Sequence, residues 1–134
     1  MKRLRILRIC FVVYGLLMAA AIFFVFIPNE SMIRIGLYYN LPNFEVTPVF
    51  EYMARGMSSI CFLVGMILIY LGLHLRQYTP LVRFLGWLAL VSLPMIVFIH
   101  AKITTPFWWK VGDITGVFVL VLMCFAVPQS KTET

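Results

Sequence analysis

Apolar residues run almost without interruption through four stretches of the chain, and polar residues collect between them. The runs cover about 9–27, 49–75, 84–101 and 107–127. Each approaches or exceeds the roughly 20 apolar residues a helix needs to cross the hydrocarbon core of a bilayer. Within lipid the backbone has to satisfy its own hydrogen bonds, so runs of this length predict helices.

The boundaries carry their own signals. Pro28-Asn29 ends the first helix. Thr47 can cap the second, Pro48 suits its first turn, and Glu51 is favoured there by the helix dipole. That helix should reach Leu75, a length of about 40 Å at 1.5 Å per residue, so its polar outer end protrudes. "HLRQYTPLVR" reads as a turn holding Arg76 and Arg83. Pro94 predicts a kink in the third span. Thr105-Pro106 repeats the cap-then-proline signal before the fourth, and "QSKTET" reads as a frayed tail. The connection over 28–47 is too polar, and too broken by Pro42, to cross a membrane. Its Met, Ile, Leu and Tyr residues suit a short helix at the interface or an ordered lid, with Tyr38 and Tyr39 at headgroup level.

These elements predict an all-α fold. Residues 1–134 form a single transmembrane domain, a four-helix up-and-down bundle. Charge then orients it. With the N-terminus inside, Lys2, Arg3, Arg5, Arg8, Arg76, Arg83 and Lys131 fall on the cytoplasmic side, against Arg34, Arg55, Lys102 and Lys110 outside. That bias predicts N-in and C-in. Ala19-Ala20-Ala21 looks like a signal-peptide cleavage site, but "IFFVFI" carries the apolar run past it, so an uncleaved anchor is expected.

Composition agrees. Of the 134 residues 63% are hydrophobic and 12% charged, about half the charge of a soluble domain. The net charge of +6 is accounted for by basic residues flanking spans. No exposed basic and aromatic face exists for nucleic acid. Cys10, Cys61 and Cys124 are far apart and include no CxxC pair, which excludes a dithiol membrane enzyme.

Small residues mark where helices approach in lipid. Span 2 carries Ala54, Ser58, Cys61, Gly65 and Gly72 along one stripe, and span 4 carries Gly112 and Gly116. Gly15 and Ala19 lie on span 1, and Gly86 and Ala89 on span 3. Taken together they predict that spans 2 and 4 lie close.

The ionisable residues then fall mostly at one end. Glu51 and Arg55 open span 2, His100 and Lys102 close span 3, and Lys110 and Asp113 open span 4, all on the predicted outer side. A carboxylate one turn into the membrane needs a partner. Arg55 is the expected one, with Lys110 as the local alternative and His100 within reach of the cluster. Two roles fit these residues. Glu51, Arg55, His100, Trp108 and Asp113 are a helix lock, or they wall a pocket for a lipophilic ligand such as a quinone or lipid, lidded by Tyr38 and Tyr39.

Other chemistries lack their parts. His74 and His100 stand at opposite ends and cannot ligate one haem. Met53 and Met57 are ordinary packing residues before they are a soft-metal site. Ser58 or Ser59 with His100 and Asp113 has no nucleophile-elbow motif. No catalytic residue, cofactor or metal ligand is therefore assigned.

Arg55-Gly56 opening span 2, the glycines along that span, the basic turn after it, and Asp113 followed by Gly116 in span 4 give a distinctive layout. It resembles the small four-helix bacterial membrane proteins grouped as a domain of unknown function, similar in layout to DoxX-like proteins. The 28–47 connection and "TTPFWWKVGD" have no counterpart in that layout. The resemblance implies a four-span inner-membrane protein with no assigned reaction, and an accessory role beside a respiratory or redox partner. The expected function is a non-enzymatic accessory or interaction subunit, partnered by the bilayer and by a membrane protein or further copies of itself. A lipid-modifying enzyme is the remaining alternative.

Overall fold

A computed structural model describes residues 2–39, 45–102 and 106–128. Among them every regular element is helical: α1 (Lys2–Ala19), α2 (Ile22–Val25), α3 (Asn29–Tyr38), α4 (Pro48–Leu73), α5 (Thr79–Lys102) and α6 (Phe107–Ala126). Four helical segments are long and apolar enough to cross a membrane, namely Lys2–Val25, Pro48–Leu73, Thr79–Lys102 and Phe107–Ala126. Between 11% and 22% of each apolar window is buried by protein. Side chains such as Leu17, Phe23, Val91 and Phe98 are more than half exposed. So much bare apolar surface is stable against lipid and would drive aggregation in water.

The first span changes character near its end. Ala21, Phe23, Phe24 and Phe26 donate to carbonyls three residues back, the tighter 3₁₀ pattern. Pro28 is extended, at φ −61° and ψ 147°, and the helix cannot pass it. Asn29–Tyr38 then forms the short helix expected in the 28–47 connection, with Glu30 in its first turn and Met32 and Gly36 buried on one face. The remainder of that connection, including Pro42, lies partly outside the described residues, as do the Thr105 cap and the 129–134 tail.

Thr47 caps α4 as expected: its Oγ1 accepts the Phe50 N–H at 3.2 Å, and its carbonyl accepts the Glu51 N–H at 2.9 Å. Helix α5 starts five residues before the expected 84. A Thr-Pro step stands there at 79–80, although Thr79 lies inside the helix and does not cap it as Thr47 caps α4. Pro80 needs no N–H partner in a first turn, and Val82 N–H donates to Tyr78 at 2.9 Å. The buried Thr79 hydroxyl donates back to the Leu75 carbonyl at 2.9 Å. Pro94 lies within a helix that continues to Lys102. Helix α6 keeps its expected start and ends at Ala126, with Val127 extended before Pro128.

The chain forms two compact units, Val12–Tyr70 and Met1–Phe11 with Leu71–Thr134. In the first, α1 and α4 meet backbone to backbone. A Cβ on Gly65 would stand 2.5 Å from Ala19 N and 2.6 Å from Gly15 O, and one on Gly15 would stand 2.7 Å from Gly65 O. In the second, α5 and α6 pack through Gly86, where a Cβ would be 2.7 Å from Cys124 Cβ, and through Trp87, edge-on to Phe125 at 5.3 Å. Phe11, Val82, Cys124 and Val127 are fully buried there. Gly65 of span 2 thus meets span 1, and Gly86 of span 3 meets span 4. A Cβ on Gly112 would meet nothing within 4 Å, so that glycine is not a close-contact site.

Candidate functional site: two helix-end polar clusters

A helix leaves its last four carbonyls without intrahelical donors. At the end of the first span those carbonyls lie just before Pro28, which offers no N–H of its own. The Arg55 guanidinium supplies what is missing. It donates to the carbonyl of Val25, to that of Ile27 at 3.4 Å and to Asn29 Oδ1 at 3.3 Å. One turn earlier on α4, Glu51 pairs with Arg55 at 2.9 Å and accepts from Asn29 Nδ2 at 3.0 Å. Asn29, Glu51 and Arg55 therefore close a triangle that ties the end of span 1 to the start of span 2. A positive charge at a helix C-terminus also opposes the negative end of the dipole. The Arg55–Glu51 pair is a third exposed on each side, so its own contribution is at most about 0.5 kcal/mol. The bonds from the guanidinium to part-buried carbonyls contribute more, about 1.5–3 kcal/mol for a charged donor.

The same construction recurs between α5 and α6. Lys110 Nζ donates to the His100 carbonyl at 2.8 Å, in the last turn of α5. His100 Nε2 meets Asp113 Oδ2 at 3.1 Å. This contact is an ion pair when the imidazole is protonated and a hydrogen bond when it is neutral. The His100 side chain is mostly buried, at 12% exposure, whereas Asp113 is 48% exposed. Asp113 thus has a partner and an open side. Lys102, next on α5, lies 5.8 Å from the centre of the Phe98 ring.

Arg55 and Asp113, expected to pair with each other, each have their own partners: Glu51, Asn29 and two carbonyls for Arg55, and His100 for Asp113. Trp108 is exposed and stacks on Trp109 at 5.8 Å. Tyr38 and Tyr39 meet edge-on at 5.2 Å, both exposed at the end of α3. Sequence reasoning missed Asn29 and the carbonyls of Val25 and Ile27. A signal for them did exist: a span stopped by proline leaves acceptors that need a donor, and Arg55 is one turn into the next span. Among the described residues no three His, Cys, Asp or Glu side chains gather to hold a metal ion. Comparison with protein-family models, curated proteins and solved structures finds no match.

Proposed function

We propose that the protein is a non-enzymatic accessory or interaction subunit of a bacterial cytoplasmic membrane. In this reading its four spans run up and down with both termini inside. The observation that supports it is how the polar side chains at the helix ends are used. Arg55 and Lys110 each bond the carbonyls of a preceding helix end, and Glu51 and Asp113 each hold a partner across the same junction. Side chains committed in this way are structural locks, and using them as acid, base or ligand would open the helix end they close. The surface left for function is the apolar face of the spans, which suits another membrane protein or a second copy of the chain. The basic bias toward the N-terminal side supports the orientation. The DoxX-like layout of Arg55-Gly56, Asp113 and Gly116 agrees with such a subunit and suggests a respiratory or redox partner.

The test is photocrosslinking from exposed span positions such as Leu17, Val91 and Leu122 in the native membrane. A single protein crosslinked in stoichiometric amount is the expected result. Recovery of the uncrosslinked monomer from every position would overturn the reading.

A further inference from the structure

The described residues also form a cleft that the polar locks leave unexplained. It has a volume of about 480 Å³ and lies where the first turns of α1 face the turn between α4 and α5. Leu4, Arg5 and Arg8 line one side, and His74, Arg76 and Gln77 line the other. All belong to the same compact unit. The local structure explains why these side chains share the cleft. Leu7 and Phe11 turn to the protein interior and are buried, which fixes the rotation of α1 and leaves Arg5 and Arg8 exposed, one turn apart. On the other side, the 74–78 turn is held by its own backbone bonds, Gln77 N–H to His74 at 3.0 Å and Tyr78 N–H to His74 at 3.2 Å. Leu75 is buried beneath it, and Arg76 and Gln77 are exposed.

Charge decides what such a cleft can take. Three guanidinium groups line it, and the chain has no carboxylate anywhere in 1–29 or 52–112. Of the five acidic residues, Glu30, Glu45, Glu51 and Asp113 belong to other segments, and Glu133 lies outside the described residues. All three cations are arginines, whose planar forks match a phosphate bidentately. A merely solvated basic flank would serve equally well with lysines on a convex surface. A concave site walled by arginine and by leucine, next to apolar helix faces, matches a molecule with an anionic phosphate and a hydrocarbon body. We infer that this cleft binds the phosphodiester headgroup of an anionic phospholipid, with Arg5, Arg8 and Arg76 holding the phosphate and the acyl chains lying along the exposed apolar faces of the neighbouring spans. Basic pockets between membrane helices recognise lipid headgroups by this chemistry. The site is separate from the helix-end locks.

Native mass spectrometry of the purified full chain tests the assignment. Dioleoyl phosphatidylglycerol and dioleoyl phosphatidylcholine are offered in equal amounts in mixed detergent micelles. Wild-type protein should retain the anionic lipid about tenfold over the zwitterionic one. The triple variant Arg5→Gln, Arg8→Gln, Arg76→Gln should fall to the zwitterionic level. Lys2→Gln, Arg3→Gln, Arg34→Gln removes equal charge outside the cleft and should keep the preference. Three results would overturn the inference: equal retention of the two lipids by wild type, an undiminished preference in the triple variant, or an equal loss in the control. Displacement of the anionic lipid by excess inorganic phosphate would also overturn it, because the occupant would then be a free phosphate. The wild-type comparison needs no variant, so a triple variant that fails to fold still leaves the inference falsifiable.

Discussion

The Arg55 guanidinium donates to the carbonyl of Val25, thirty residues earlier, and so closes the end of the first span. Removing the guanidinium leaves that part-buried carbonyl and the Ile27 carbonyl short of a donor. Arg55→Gln should therefore lower stability in detergent by about 2 kcal/mol. Arg55→Lys keeps the charge but loses the fork that spans Val25, Ile27 and Asn29, so it should fall between the two. Thermal unfolding followed by circular dichroism measures both. Equal stability of Arg55→Gln and wild type would show that the capping contributes nothing.

His100 and Asp113 should couple energetically. The contact joins a largely buried imidazole to a half-exposed carboxylate, so solvent screening limits it to about 0.5–1 kcal/mol. A double-mutant cycle of His100→Gln and Asp113→Asn, read by detergent unfolding, gives the value directly. Strict additivity of the two substitutions would remove the contact from the lock.

The helices were legible because lipid forces an apolar helix to announce itself by length, and because Thr-Pro and Pro-Asn steps mark its ends. Thr47-Pro48 was read correctly, and the identical step at Thr79-Pro80 was hidden inside a basic stretch that looked like a turn. The Glu51–Arg55 pair is legible from its i,i+4 spacing and His100 as a neighbour of Asp113, but the backbone acceptors of Arg55 and Lys110 are not. Depth alone grouped Arg55 with Asp113, since a carboxylate in a span calls for a cation. What depth cannot register is the demand of backbone carbonyls, which carry no sequence identity, and these carbonyls took both Arg55 and Lys110. Small residues behaved similarly. A stripe such as Ala54, Ser58, Cys61 and Gly65 shows that a helix can be approached, and says nothing of which helix approaches it.

The proposed orientation predicts that both ends of the chain face the cytoplasm. Fusing alkaline phosphatase after Val127 should give an inactive enzyme and green fluorescent protein there a bright one, with the reverse at fusions after Tyr39. Phosphatase activity at Val127 would invert the positive-inside assignment based on Lys2, Arg3, Arg5 and Arg8.

Glycine substitutions separate the close contacts from the open positions. A methyl group at Gly65 would press against Ala19 N and Gly15 O at 2.5 and 2.6 Å, and these are backbone atoms that cannot swing aside. Helices α1 and α4 must then separate there, losing the dispersion contacts beside Gly15, Ala19 and Gly65. Gly65→Ala and Gly15→Ala should each cost about 1–3 kcal/mol. Gly56 and Gly112 also lie inside helices, yet a Cβ at either meets nothing within 4 Å. Replacing them by alanine removes backbone freedom from the unfolded chain without a clash, so Gly56→Ala and Gly112→Ala should be neutral or stabilising, by up to about 1 kcal/mol. The comparison is internal, because all four changes add one methyl group to a membrane helix. Equal losses at all four positions in detergent unfolding would mean that the Gly15–Gly65 contact is not what holds the first two spans together.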